Sequence, residues 1–466
     1  MKEQSYAEQL REELTYKPKH GAAAMSEEEI KRADEFCENY KEFLNTAKTE
    51  REAVIEAVKL AEIAGFVPFE KGKVYTAGQK VYKVNRGKAV ILAVIGSKPL
   101  SDGVRLAIAH IDSPRLDLKP NPLYEADELA LFKTHYYGGI KKYQWTTIPL
   151  SMHGVVCLKN GEKIEVRVGE DDGDPQFCVT DVLPHLGTEQ AKKPLGTAIP
   201  AENLNILIGS RPIADDKGAD LVKLNVLKIL HDKYGITESD FLSSELEFVP
   251  AAKARDLGFD RSMIGAYGHD DRVCAYPALM AALTCNAPEH TAVTILTDKE
   301  ETGSDGNTGL NSAYMKYFIY DLAEMQGVSG RDVLSASECL SADVNAAFDP
   351  TYADVYEKRN SCYLNKGVCI TKYTGSRGKG GTSDASAEYM SRIRTLLDRK
   401  NVLWQIGELG KVDAGGGGTV AKYVSNLDVE TVDLGVPVLS MHAPWEVVAK
   451  IDVYMAYRAF YEFFLD

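Results

Sequence analysis

The chain has no uninterrupted apolar run approaching the roughly 18 residues a membrane-crossing helix needs. Its opening stretch, MKEQSYAEQLREEL, has no signal-peptide hydrophobic region. A cytoplasmic protein with no membrane partner is therefore expected. Basic residues are outnumbered, 54 lysines and arginines against 68 acids, for a formal charge of -14. That balance argues against a nucleic-acid partner, since phosphate binding needs a basic stripe to neutralise backbone charge. Cysteine is sparse: Cys37, Cys157, Cys178, Cys274, Cys285, Cys339, Cys362 and Cys369 show no CxxC spacing. They read as buried thiols, which leaves oxygen and imidazole as the ligands for any metal. There is no internal repeat, and the only low-complexity element is Gly415 to Gly418.

The 466 residues exceed what one hydrophobic core serves, so two domains are expected. With 44% hydrophobic and 26% charged residues, the whole chain should fold. Ser26 followed by Glu29 is a capping-box pattern, after which Ile30, Ala33, Phe36, Tyr40 and Phe43 recur at helical spacing. A second helix is predicted from Thr49, with Val54, Ile55, Val58 and Ala61 on one face and Gly65 as its stop. Ala89 to Ile95, Val104 to Ile111, Thr291 to Leu296 and Val436 to Met441 read as buried strands; Tyr276 to Leu283 and Val453 to Phe464 read as helices. The alternation predicts an α/β fold with a mixed, mostly parallel sheet and flanking helices. From about Leu118 to Ala254 the texture changes to short alternating segments, such as Gly154 to Leu158 and Ile164 to Val168, with turns at Asn160-Gly161 and Asp172-Gly173. This predicts a β-rich insert over 118–254 within a discontinuous domain of 1–117 and 255–466.

Five segments place an acid or a histidine at or just beyond a predicted strand end, where open α/β sheets form ligand crevices. They are Ala109-His110-Ile111-Asp112-Ser113-Pro114, Gly268-His269-Asp270-Asp271-Arg272, Thr297-Asp298-Lys299-Glu300-Glu301-Thr302-Gly303-Ser304, Ser341-Ala342-Asp343-Val344 and Ser440-Met441-His442-Ala443-Pro444. Each alone has an ordinary reading: a turn acid, a solvated acidic pair, a hydrogen-bonded structural histidine. Together, their order and chemistry suit a pair of divalent ions. Gly415 to Gly418 lacks the Lys-Ser or Lys-Thr of a phosphate loop and reads as a pocket wall. Lys372 alone reads as a surface lysine, and His185, beside Pro184, as a half-buried loop histidine.

With the stretches AHIDSPR, DKEETGS, GSRGKGGTSDASAEY, GELGKVDAGGGGTVA and VPVLSMHAP, the chain resembles the aspartyl and vacuolar aminopeptidases over nearly its whole length, and most closely their bacterial branch. The resemblance implies a two-metal aminopeptidase that removes the N-terminal residue of peptide substrates by attack of a metal-bridging hydroxide. It implies that Asp270 bridges the ions, with His110 and Asp343 completing one site and Glu301 and His442 the other. The residues alone leave Asp270 and Asp271 as alternatives for the bridge. Three carboxylates against two dications leave about one surplus positive charge, which would acidify a bridging water toward a pKa of roughly 7. Zinc is the expected metal, with cobalt and manganese as alternatives. Asp112, two residues beyond His110, is placed to accept the second imidazole N–H. Glu300 is expected as general base and then general acid, its neighbour Glu301 pointing the other way. Where eukaryotic members carry a histidine soon after the aspartate ligand, this chain has Asp343-Val344-Asn345-Ala346-Ala347.

The family likeness also places Gly416, Gly417 and Lys372 near the pocket for the first substrate residue. Arg377 and Lys379 are candidate counter-charges for an aspartyl or glutamyl side chain there, and neutral first residues such as leucine are the alternative. It further implies dimers and a tetrahedral dodecamer assembled through the insert, with His185 lent to a neighbour's site to stabilise a developing oxyanion. The rival readings are another two-metal hydrolase, a carboxypeptidase or deacylase, and a non-catalytic assembly protein.

Overall fold

The computed structural model describes residues 5–214 and 217–466, so the first four residues of the N-terminal stretch lie outside it. A nine-stranded sheet runs in the order Val67–Pro68, Lys80–Asn85, Ala89–Val94, Thr291–Thr297, Val104–His110, Glu338–Ser341, Glu430–Gly435, Val368–Thr371 and Trp404–Ile406. The middle four strands, from Thr291–Thr297 to Glu430–Gly435, are parallel to one another, so their carboxyl ends share one edge.

Alternation along the Val104–His110 strand explains why that sheet is covered on both faces. Ala107 and Ala109 pack with the helices Glu27–Thr46, Glu50–Ile63, His269–Thr284 and Lys450–Leu465, whereas Val104, Leu106 and Ile108 pack with Tyr314–Met325 and Gly330–Ser335. Burial on both faces is what a continuous apolar strand requires. The predicted capping box is present: the Ser26 hydroxyl accepts the Glu29 amide, and the Glu29 carboxylate accepts the Ser26 amide.

Residues 115–250 contribute a second, seven-stranded sheet, ordered Lys163–Val168, Leu150–Cys157, Ser244–Pro250, Arg115–Ala126, Leu129–Tyr137, Ile206–Gly209 and Cys178–Val179, with every neighbour antiparallel. It has its own apolar cluster, including Leu116, Phe132, Trp145 and Phe248. The buried Lys48 ammonium ties it to the helical layer, contacting Glu170 at 2.7 Å and the Pro250 carbonyl at 2.8 Å.

One expected strand is replaced. The sheet takes Glu430–Gly435, and of the expected 436–441 run Pro437–Val438 pairs with Asn345–Ala346 in a separate two-stranded ladder while Leu439 bridges Val447. Pro437 has no N–H to give a ladder, so the chain leaves the sheet there. Ser440 and His442 then adopt positive φ of 57° and 65°, turning the histidine toward the sheet's carboxyl edge. Among the described residues no helix is long and apolar enough to cross a membrane.

Candidate metal centre

The shared carboxyl edge explains why residues distant in sequence meet. His110 ends its strand, Asp343 follows Glu338–Ser341 by two residues, and Glu300 and Glu301 begin a 3-10 turn just after Thr291–Thr297. Asp270 enters from the start of the His269–Thr284 helix, where Asp270 and Asp271 leave helical geometry. His442 comes from the turn beyond Pro437–Val438.

Asp270 lies at the centre. One carboxylate oxygen is 3.1 Å from His110 Nε2 and the other is 3.2 Å from His442 Nε2. Asp343 Oδ1 lies 4.0 Å from the His110 nitrogen and Glu301 Oε1 lies 3.5 Å from the His442 nitrogen. Two donor sets result, His110, Asp270 and Asp343, and Asp270, Glu301 and His442, each with its ligand atoms within 4.8 Å of one another. Asp271 stays outside both; it is fully buried, and one of its oxygens faces the His110 amide at 3.4 Å.

Three residues hold this geometry through their contacts: Asp112, Glu446 and Gly139. Asp112 accepts the Glu300 and Glu301 amides at 3.1 and 3.2 Å and the Tyr137 hydroxyl at 2.7 Å. The His110 Nδ1 meets the Asp112 backbone carbonyl at 3.0 Å, nearer than the Asp112 carboxylate at 3.4 Å. Asp112 therefore sets the glutamate turn as much as the imidazole. Glu446 accepts the His442 amide at 2.7 Å and the Asp270 amide at 3.1 Å, holding two candidate ligands with one side chain. The Gly139 carbonyl accepts from His442 Nδ1 at 2.7 Å. Such partners fix ring orientation and tautomer in metal sites. Glu446, four residues after His442 in HAPWE, was the accessible signal in the sequence. Tyr137 and Gly139 lie in the β-rich segment, and nothing local connects them to the cluster.

The electrostatics show what the cluster accepts. Burial pushes the Glu300 carboxyl up to about 7, and it raises Glu301 and Asp343 well above the carboxylate range, with neighbouring acids adding to the effect. Burial works against a charged His442, but its hydrogen bond to Asp270 more than offsets this and lifts the imidazole to about 10. Crowded acids under burial favour a compensating cation. Glu301 Oε1 is buried with no hydrogen-bond partner. An orphaned carboxylate oxygen beside an imidazole, in an oxygen and nitrogen donor set free of thiolates, fits zinc.

The cluster opens into a cavity of about 510 Å³ whose wall includes Glu300, Gly416, Gly417, Gly418, Lys422 and Met441. Gly416 and Gly417 thus line the same cavity as the cluster. Gly416 has φ of 120°, and a Cβ there would meet the Gly375 carbonyl at 2.3 Å, so this position admits only glycine. Lys372 is not part of the wall; its ammonium is engaged by Asp384 and the Ala385 carbonyl. Arg377 and Lys379 line a neighbouring cavity, with Lys379 paired to Asp384 at 2.7 Å. His185 is exposed on the Pro184–Leu186 turn and joins no contact with the cluster among the described residues.

Imidazoles and carboxylates gathered at the carboxyl edge of parallel strands define a metallohydrolase site. The chain belongs to the aminopeptidase I zinc metalloprotease (M18) family, which it matches over residues 43–464, and it is an aminopeptidase of that family. It is 50% identical over 436 residues to a Clostridium acetobutylicum protein named probable M18 family aminopeptidase 1, covering 92% of this chain and 94% of that one. The Thermotoga maritima protein of the same name is 47% identical over 435 residues, 92% of this chain and 95% of that one. The crystal structure of an M18 aminopeptidase from Thermotoga maritima superposes with a TM-score of 0.93 at 44% identity, over 97% of this chain and 99% of that one. Aminopeptidase I from Clostridium acetobutylicum gives 0.92 at 47%, over 97% and 100%. A more distant likeness, to a dodecamer of yeast aminopeptidase 1, has a TM-score of 0.75 at 20% identity, over 94% and 97%, and speaks for the fold alone.

The Glu446 contacts generate a direct test. Glu446→Ala removes both acceptors and should weaken zinc binding by about 10- to 100-fold, whereas Glu446→Gln keeps an acceptor oxygen and should lose less. Zinc affinity measured against a competing chelator decides it; equal affinity for wild type and the alanine variant would show that Glu446 does not position the ligands.

Proposed function

We propose that the chain removes N-terminal residues from peptides with two zinc ions held by His110, Asp270 and Asp343 on one side and Asp270, Glu301 and His442 on the other. The observation that carries this reading is that the two oxygens of Asp270 face two different imidazoles, so one carboxylate serves both donor sets. When bound, the ions supply the Lewis acidity that makes water a nucleophile near neutral pH. Glu300 stands outside both sets, with a carboxyl oxygen 3.9 Å from His110 Nε2. A carboxyl raised to about 7 is suited to take a proton from water and return it to the departing nitrogen. Asp112 holds this turn through its amides, keeping Glu300 and Glu301 directed to different tasks. The glycine wall at Gly416 and Gly417 receives the first side chain. Cobalt and manganese suit the same donors, and availability decides among them.

The separation of roles has a mutational signature. Glu300→Gln should retain zinc and lower kcat by about 100-fold or more, whereas Glu301→Gln should lose zinc. Elemental analysis beside steady-state kinetics reads both; the reverse pattern would exchange the two glutamates.

Residues 118–254 form the inserted assembly domain and 1–117 with 255–466 the catalytic one. Val182, Leu183 and Leu186 flank His185 with 42%, 49% and 73% exposure, an apolar rim suited to a second copy of the chain. In a closed assembly built on this rim, His185 reaches a neighbour's cavity; the yeast protein of the same fold is itself a dodecamer. All eight cysteines are free thiols, as in a reducing compartment such as the cytoplasm. Mixing His185→Ala with Glu300→Gln under subunit exchange should restore activity, because one site in a mixed pair then has both residues intact. Absence of recovery despite demonstrated exchange would place His185 outside any neighbour's site.

A further inference from the structure

Lys422 is the only lysine or arginine in the wall of the catalytic cavity among the described residues. It sits on the short helix Ala421–Ser425, half-buried, and no acid among the described residues pairs with it; its ammonium lies 5.5 Å from the centre of the Tyr423 ring. Lys372 differs sharply, since Asp384 already neutralises it. The charge on Lys422 therefore remains available to whatever enters the cavity.

Its position follows from its neighbour. The Tyr423 hydroxyl donates to the Gly303 carbonyl at 2.8 Å, docking this helix on the turn that begins with Glu300. Gly303, Ser304, Lys422 and Tyr423 all line the cavity with Glu300. A residue that returns a proton to the departing nitrogen faces the leaving half of the peptide, so the wall beside it borders that half. We propose that Lys422 is a specificity-determining residue that receives a carboxylate on the leaving side of the scissile bond: the terminal carboxylate of a dipeptide, or an aspartyl or glutamyl side chain at the second position. This rests on Glu300 acting at the departing nitrogen. The preference falls on the second residue, independently of the first.

Four substrates separate the two sources of that carboxylate: Leu-Gly, Leu-Gly amide, Leu-Asp amide and Leu-Asn amide. The zinc-loaded wild type should show a higher kcat/KM for the anion in at least one pair, Leu-Gly over its amide or Leu-Asp amide over Leu-Asn amide, by about fivefold or more, expressed mainly in KM. Lys422→Met should bring that ratio close to one, Lys422→Arg should keep most of it, and added salt should shrink it in the wild type. Because each ratio is internal to one preparation, partial loss of folding cancels. A wild-type ratio near one in both pairs, or a ratio unchanged in Lys422→Met, would overturn the proposal. Failure of the Glu300 assignment is separate: it would appear as a Glu300→Gln variant with undiminished kcat on the neutral amides.

Discussion

The structure depends on one buried carboxylate placed between two imidazoles. Asp270 lies 3.1 Å from His110 and 3.2 Å from His442, is only 3% exposed, and is surrounded by further acids. Isolated ionised groups in such a place cost several kcal/mol each, and two imidazoles do not balance the charge of Asp270, Glu301, Asp343 and Glu300 together. The arrangement makes physical sense as a cradle for cations, and the zinc metalloprotease family to which the chain belongs supplies the metal.

Much of the surrounding fold keeps that cradle rigid. The parallel strands deliver His110, Asp343 and the Glu300–Thr302 turn to one edge. Glu446 joins Asp270 to His442 through their amides, and Asp112 joins His110 to the glutamate turn. The antiparallel sheet also takes part: Tyr137 bonds Asp112, and the loop after it brings the Gly139 carbonyl to His442. The β-rich segment thus touches the cluster directly within one chain, whatever it also does between chains.

The core strands were legible because sheet residues buried on both faces must be continuously apolar: Ala89–Val94, Val104–His110 and Thr291–Thr297 all lie within a residue or two of their expected bounds. The chemistry was legible as acids and histidines at their ends, but only the combination had meaning. Asp270 and Asp271 are chemically identical neighbours, and only the backbone at the helix start shows which one faces the imidazoles. The strand expected over 436–441 was misplaced because Pro437 outweighs the apolar run around it. Lys372 illustrates a different limit: a lysine's place in sequence says nothing of an acid twelve residues on that neutralises it. Contacts from Gly139 and Tyr137 span more than a hundred residues to their partners or cross between sheets, and no local pattern encodes them.

The most direct test of the shared carboxylate is a zinc titration of chelator-stripped protein, following bound metal by elemental analysis and aminopeptidase activity in the same samples. Two donor sets meeting at Asp270 predict that binding saturates at about two zinc ions per chain and that full activity requires both. Full activity with binding saturated at one ion per chain would contradict the account.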